Sequence, residues 1–223
     1  MQDDSVWRKL AEKKWGSATL ALRKGSSTKW MAYAKHRMCL TTHPTSPLDL
    51  IQEGVTDPWQ HLVCCLLCSR TTGGAVVLDT IESFLRRYTT PTAVLAASET
   101  EICCAIKSVG LQELRCKALR LMSHSFLAED WEEPSEFFGC GRFAADSWRI
   151  FCRGGAASLG PRDVEDATLQ RYLRWARTGA ADTPAPKPRR NRAAPAGAAA
   201  AKRRAGRARP ARNTPELRSA RRC

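Results

Sequence analysis

Apolar residues along the middle of the chain recur at three- and four-residue spacing, the period of a helix packed on one side. Asp57-Pro58-Trp59 opens one such segment. Asp is a favoured N-cap, and a proline at the first helical position gives up an N–H that would be unpaired anyway. Leu62, Val63, Leu66 and Leu67 form the apolar face that follows, and Thr71-Thr72-Gly73-Gly74 ends the helix near Arg70. A second stripe runs through Val77, Ile81, Phe84, Leu85 and Tyr88. Ser98-Glu99-Thr100-Glu101 is a capping box; it starts a third helix carrying Ile102, Ile106 and Val109, which Gly110 breaks. A fourth carries Leu114, Ala118, Leu121 and Met122. Nothing in residues 41–178 reads convincingly as a strand. The pattern predicts an all-α domain in which each stripe is core packing.

Of the 223 residues 43% are apolar, enough to bury a real core. The longest apolar runs, such as Leu62 to Cys68, fall far short of the roughly 20 residues a membrane span needs. The opening MQDDSVWRKL has no apolar h-region, so no secretory signal is expected. The ten cysteines then belong to a reducing compartment, without a disulfide framework.

The net charge of +14 is unevenly placed: +6 over residues 1–40, −3 over 41–178 and +11 over 179–223. The last segment is low-complexity Ala, Pro and Arg, and it lacks the apolar surface to offset its ordering entropy. It is expected to be a disordered basic tail, serving nuclear import or a nonspecific grip on phosphates. The first forty residues form a basic N-terminal extension. Trp7, Trp15, Trp30 and Tyr33 suit parts of it to docking on the core.

Phe138-Gly139-Cys140-Gly141-Arg142-Phe143-Ala144-Ala145 places two glycines before a helix-compatible run. Such a turn lets the backbone approach a ligand, and the free N–H groups at a helix head bind phosphate. The motif alone fits an ordinary helix–helix turn equally well. Cys64-Cys65-x-x-Cys68, with His61 one turn away, has the look of a metal site. All four residues sit inside an apolar helix, so they read as buried core instead.

Context sharpens the hairpin. SPLDLIQE (Ser46 to Glu53), DPW (Asp57 to Trp59), SRT (Ser69 to Thr71), GLQELRCKAL (Gly110 to Leu119), FGCGRFAADSWRIFC (Phe138 to Cys152) and VEDATLQRYLRW (Val164 to Trp175) occur in order. Together they resemble the glycosylase domain of the methyl-CpG-binding-domain type, the thymine/uracil mismatch members of the helix-hairpin-helix DNA glycosylases. The resemblance covers about residues 44–178, and residues 1–40 do not look like a methyl-CpG-binding domain. It implies two helical subdomains with a DNA-binding cleft between them and the hairpin at one rim.

The resemblance also assigns roles. Asp166 falls where the family carries its catalytic carboxylate, with Asp163 and Glu165 as neighbours. Gln52 corresponds to the pyrimidine reader, although the loop from it to Asp57 is one residue shorter than usual. Phe143 shares that base pocket. Arg70 and Leu111 fall at the wedge that fills the gap left by an extruded base. Gly139, Cys140, Gly141 and Arg142 form the phosphate-binding hairpin. A monovalent cation of the kind relatives hold there is the only cofactor suggested. Arg70, Arg115 and Lys117 are further phosphate candidates.

Family members that cleave the backbone carry a lysine two residues after the second hairpin glycine, because an amine must form the imine. That position is Phe143, so a monofunctional enzyme is implied. Relatives with an iron–sulfur cluster carry four cysteines after the catalytic Asp, whereas only Cys223 follows Asp166, so no cluster is expected. Phe143 stands for a common Tyr, Ser69 for Asn and Thr168 for Lys, which bears on base preference.

The expectation is a nuclear, monomeric, monofunctional glycosylase of base excision repair. It acts on duplex DNA with a mismatched or damaged pyrimidine and removes thymine or uracil opposite guanine. Its alternative is a catalytically inactive helix-hairpin-helix protein binding mismatched or abasic DNA. A third reading is a nonspecific nucleic-acid binder working through its tails.

Overall fold

The central helix starts where the Asp57 carboxylate accepts the N–H groups of Trp59 and Gln60 at 3.0 and 3.1 Å. Those two bonds close orphan donors that every helix start leaves open. The structure is a computed structural model and describes residues 3–38, 43–71 and 74–179. Its described α-helices are α1 (Asp4–Trp15), α2 (Ala18–Leu22), α3 (Trp30–His36), α4 (Pro58–Cys68), α5 (Ala75–Arg87), α6 (Pro91–Ala96), α7 (Glu99–Ala105), α8 (Gln112–Ala128), α9 (Arg142–Cys152), α10 (Gly155–Ser158) and α11 (Ala167–Thr178). Short 3-10 turns lie at Ile51–Gly54, Lys107–Val109, Pro134–Glu136 and Pro161–Asp163. No strand occurs among the described residues, so the fold is all-α, as the periodicity predicts. None of these helices is long and apolar enough to cross a membrane.

Two apolar cores organise the helices. The larger is built on α4, which packs against α5, α8 and α9. Every residue from Trp59 to Leu67 except Gln60 is buried, so α4 is covered on all sides rather than on one face. The smaller core gathers Ile150, Phe151, Val164, Leu169, Tyr172 and Leu173. Helix α9 is the wall they share. Trp148 and Cys152 point into the larger core, Ile150 and Phe151 into the smaller, and Phe143 packs on both.

The first forty residues contribute directly to the larger core. Trp15, Tyr33 and Ala34 are buried in it, with the Trp15 ring edge-on to Tyr33 at 5.5 Å and to Phe126 at 6.2 Å. Lys14 pairs with Asp57 at 2.9 Å. The buried Arg37 donates Nε to the Phe126 carbonyl at 2.5 Å and Nη2 to that of Glu129, and burial lowers its pKa to about 10. The disorder expected of residues 179–223 concerns a segment outside the described residues, beyond Gly179.

Two sequence expectations need correction. The helical period places Leu114 and Leu121 in a buried stripe, yet they are 46% and 42% exposed. The covered side of α8 carries Cys116, Leu119, Met122 and Phe126, because α4, α6 and α7 pack there. The third helix ends at Ala105, and a 3-10 turn carries the chain through Val109 to Gly110, whose φ is +74°.

Candidate functional site

The Phe138–Gly141 hairpin is fixed from below by helix α8. Gly139 has φ +86°, and a Cβ there would lie 2.7 Å from the Ala118 Cβ. Only glycine satisfies both conditions, one conformational and one steric. Gly141 precedes α9 with open space around it, and no side chain caps the helix. Its carbonyl accepts Ala144 and Ala145 N–H at 3.0 and 3.2 Å. The Cys140 N–H is used inside the turn, on the Phe137 carbonyl at 3.0 Å. Cys140 itself is buried, which raises its thiol pKa to about 12. The N–H groups of Gly141, Arg142 and Phe143 make no hydrogen bond among the described residues. The carbonyls of Phe138, Gly139 and Cys140 are likewise unused, and such oxygens suit a monovalent cation.

Arg142 turns its side chain away from an open phosphate role. Its Nε donates to both oxygens of the buried Asp146 at 3.1 Å, and its Nη2 donates to the Asp163 carbonyl at 3.4 Å. Its Nη1 lies 3.9 Å from Glu165. These contacts tie the head of α9 to the loop that carries Asp166.

Asp166 is the N-cap of α11. Its Oδ1 accepts the N–H groups of Thr168 and Leu169 at 2.8 and 3.0 Å. The second oxygen, Oδ2, has no hydrogen-bond partner among the described residues. Val164, two residues earlier, is buried in the smaller core with Leu48 and Leu50 packed nearby. That packing brings the chain leading to Gln52 toward the Asp166 loop. Gln52 is buried in the Ile51–Gly54 turn, which rests on α9 and α4. Its side-chain amide makes no hydrogen bond among the described residues. Phe143, the half-buried second residue of α9, lies at the meeting of the two cores.

On the other side of the hairpin, Arg70 and Leu111 share a groove of about 260 Å³ with Leu66, Leu114, Phe138 and Gly139. Both are exposed, and both have left-handed backbone, with φ +57° and +49°. Side chains other than glycine hold that conformation only against strain, and such strain concentrates at functional loops. Among the described residues the one other non-glycine case is Asp49, at φ +52°, three residues before Gln52.

Arg115 holds the two strained loops together. It is 4% exposed, and it donates Nη1 to the Val109 carbonyl at 2.8 Å and Nη2 to the Ser69 carbonyl at 2.7 Å. Burial lowers its pKa. The expectation that Arg115 contacts phosphate is therefore corrected: its guanidinium is spent inside the protein. No sequence signal marks that bridge, since a helical Arg among exposed neighbours reads as a surface residue. Lys117 extends outward, with Nζ 5.3 Å from the Phe138 ring centre.

Behind the pocket, His61 Nε2 and Ser147 Oγ share a hydrogen bond of 2.9 Å between α4 and α9. Burial first, then the His43 charge, lowers the His61 pKa to about 3. Burial likewise raises the thiol pKa values of Cys64, Cys65 and Cys68. Among the described residues no group of three His, Cys, Asp or Glu side chains is arranged to hold a metal ion.

Several curated proteins align with parts of this sequence. The chain is 36% identical over 121 residues to a methyl-CpG-binding domain protein 4-like protein of Arabidopsis thaliana. It is 39% identical over 71 residues to a thymine-DNA glycosylase of Aeropyrum pernix. It is 37% identical over 79 residues to a thymine/uracil-DNA glycosylase of Pyrobaculum aerophilum. The chain resembles DNA glycosylases of the methyl-CpG-binding-domain type. The matches cover 54%, 32% and 35% of this chain, and 27%, 31% and 34% of those relatives' own lengths. No family model matches.

Proposed function

We propose that the protein is a monofunctional DNA glycosylase that flips thymine or uracil out of a mispair with guanine and hydrolyses its N-glycosidic bond. The observation that carries the reading is the half-satisfied carboxylate of Asp166. Oδ1 is anchored by two backbone N–H groups, and Oδ2 is left open. Cleavage of a sugar–base bond builds positive charge on the sugar, and an anchored carboxylate beside it lowers that barrier without having to reorganise. The open oxygen can also orient the attacking water.

The other groups divide the remaining work. The free amide of Gln52 can donate to and accept from a pyrimidine edge, and Phe143 offers an apolar wall. Arg70 and Leu111 enter the duplex where the base has left, and their strained, mutually braced loops suit a wedge that must not yield. The unused N–H groups of Gly141, Arg142 and Phe143 meet a phosphate. A monovalent cation, if held by the carbonyls of Phe138, Gly139 and Cys140, adds positive charge to that contact. Phe143 supplies no amine, so no Schiff base forms there and the product is an abasic site.

A single-turnover assay on duplexes with G·T, G·U and paired controls tests the reading. Strand breaks should appear only after hot alkali, borohydride should trap no covalent complex, and Asp166→Asn should abolish the product. Mismatch binding without any abasic product would remove the catalytic assignment and leave a DNA-binding protein in its place. The assay also decides between thymine and uracil. Nuclear location and a monomeric state belong to the same proposal, supported by the basic tail and the substrate.

A further inference from the structure

Between residues 41 and 178 positive charge gathers toward the C-terminal end, around the Asp166 helix. Residues 41–141 carry a net −6, whereas residues 142–178 carry a net +3. Three of those arginines, Arg162 on the Pro161–Asp163 turn and Arg174 and Arg177 on α11, line one groove of about 500 Å³ with Gly160, Pro161 and Gln170. All three are exposed. None forms an ion pair among the described residues. The acidic residues of the adjoining loop have hydrogen-bond or charge partners of their own: at the rim of the groove Asp163 Oδ2 accepts the Gly160 N–H at 2.6 Å, and Glu165 faces Arg142.

The groove has defined geometry. The Arg177 guanidinium lies against the Gly160 backbone, where a Cβ would come within 3.2 Å of Nη1 and 3.4 Å of Nη2. Arg174 Nε donates to the Gln170 carbonyl at 3.3 Å, and its two Nη groups make no hydrogen bond among the described residues. Gln170 also fixes the position relative to Asp166, because its N–H donates to the Asp166 carbonyl at 2.9 Å. The groove thus begins one helical turn, about 5.4 Å, beyond the candidate catalytic residue. Three guanidinium groups line the groove against one nearby carboxylate, Asp163, whose Oδ2 would lie 3.4 Å from a Cβ at Gly160, so a net positive charge faces an outside anion, and guanidinium forks match phosphate oxygens in pairs.

We propose that this groove seats backbone phosphates of duplex DNA, flanking the nucleotide whose sugar meets Asp166. Arg162, Arg174 and Arg177 hold the strand by charge, independent of base sequence, and set the register in which the sugar is presented. The inference deepens the glycosylase reading and rests on it for the placement of the sugar.

The test is the salt dependence of binding to an undamaged duplex, read by fluorescence anisotropy between 50 and 200 mM KCl. Each lost phosphate contact should flatten the slope of log Kobs against log salt by about 0.9, so the triple variant Arg162→Gln/Arg174→Gln/Arg177→Gln should lose between about 1.8 and 2.7. The matched variant Arg8→Gln/Lys9→Gln/Lys13→Gln removes the same charge from exposed positions of α1 and should leave the slope as in the wild type. The triple Arg→Lys variant should keep the slope, and it serves if the Gln variant does not fold by circular dichroism. An unchanged slope in the groove variant, a loss in the Lys variant, or an equal loss in the α1 variant would overturn the inference. The measurement needs no turnover, so it stands apart from failure of the glycosylase assay.

Discussion

Arg115 donates to the Ser69 carbonyl at 2.7 Å, and through that bond the loop of Arg70 is tied to the loop of Leu111, whose Val109 carbonyl takes the other guanidinium nitrogen. Two loops 40 residues apart, each holding one strained residue, thus share a single buried cation. Removing it leaves two carbonyls short of a strong donor and frees both loops.

Arg115→Met should cost about 2 kcal/mol, since hydrogen bonds to a charged group are among the stronger ones. At this chain size that is a drop in Tm of roughly 4–8 °C by calorimetry. The loss of base excision should be larger on duplex than on single-stranded uracil DNA, because a single strand offers no stack to wedge open. Equal loss on both substrates would count against the wedge role of these loops.

Asp166 has two functions that substitution can separate. Asn is as good an N-cap as Asp, so Asp166→Asn should change stability by less than about 1 kcal/mol while lowering the single-turnover rate by about 10²-fold or more, the scale of losing one electrostatic stabiliser. Asp166→Ala should lose the rate and about 1 kcal/mol of cap energy as well. Thermal melts beside single-turnover kinetics distinguish the two variants.

The hairpin glycines should answer differently to the same change. Gly139→Ala meets the Ala118 Cβ at 2.7 Å on a backbone with φ +86°, and it should cost about 2 kcal/mol or more in a denaturant melt. Adding Ala118→Gly should recover the steric part and leave the backbone strain. Gly141→Ala faces open space at φ −109° and should leave stability within about 1 kcal/mol. Its effect, if the N–H groups there meet phosphate, should appear in DNA affinity instead.

The buried His61 makes stability depend on pH. Its folded pKa is about 3, against an ordinary value of 6.5, so the unfolded chain binds a proton that the folded protein refuses. Its contribution is fully present above pH 6.5 and is lost as pH falls from there toward 3, at up to about 1.4 kcal/mol per pH unit. His36, lowered to about 4 chiefly by burial and then by Arg153, acts in the same direction. Tm should fall between pH 7 and 5, and His61→Gln should flatten that fall. A Tm independent of pH over this range would contradict the buried, neutral ring.

Much of this protein was fixed locally and could be read from the chain. Asp57 with Pro58, and Ser98 with Glu101, start helices where the sequence places them, because a cap needs only its own next turn. The two glycines before α9 and the carboxylate at residue 166 are local in the same way: one is a turn, the other an N-cap. Tertiary structure decided which faces are covered. Periodicity draws a stripe through Leu114 and Leu121 but cannot say that α4, α6 and α7 cover a different side of α8. It cannot say that Arg115 is buried, because its partners at Ser69 and Val109 come from two other loops. The requirement for glycine at 139 has the same origin, since Ala118 approaches from a helix about twenty residues away in the chain. Caps and periods depend on a few neighbouring residues, whereas burial and bridging depend on which helices meet, and only the folded chain settles that.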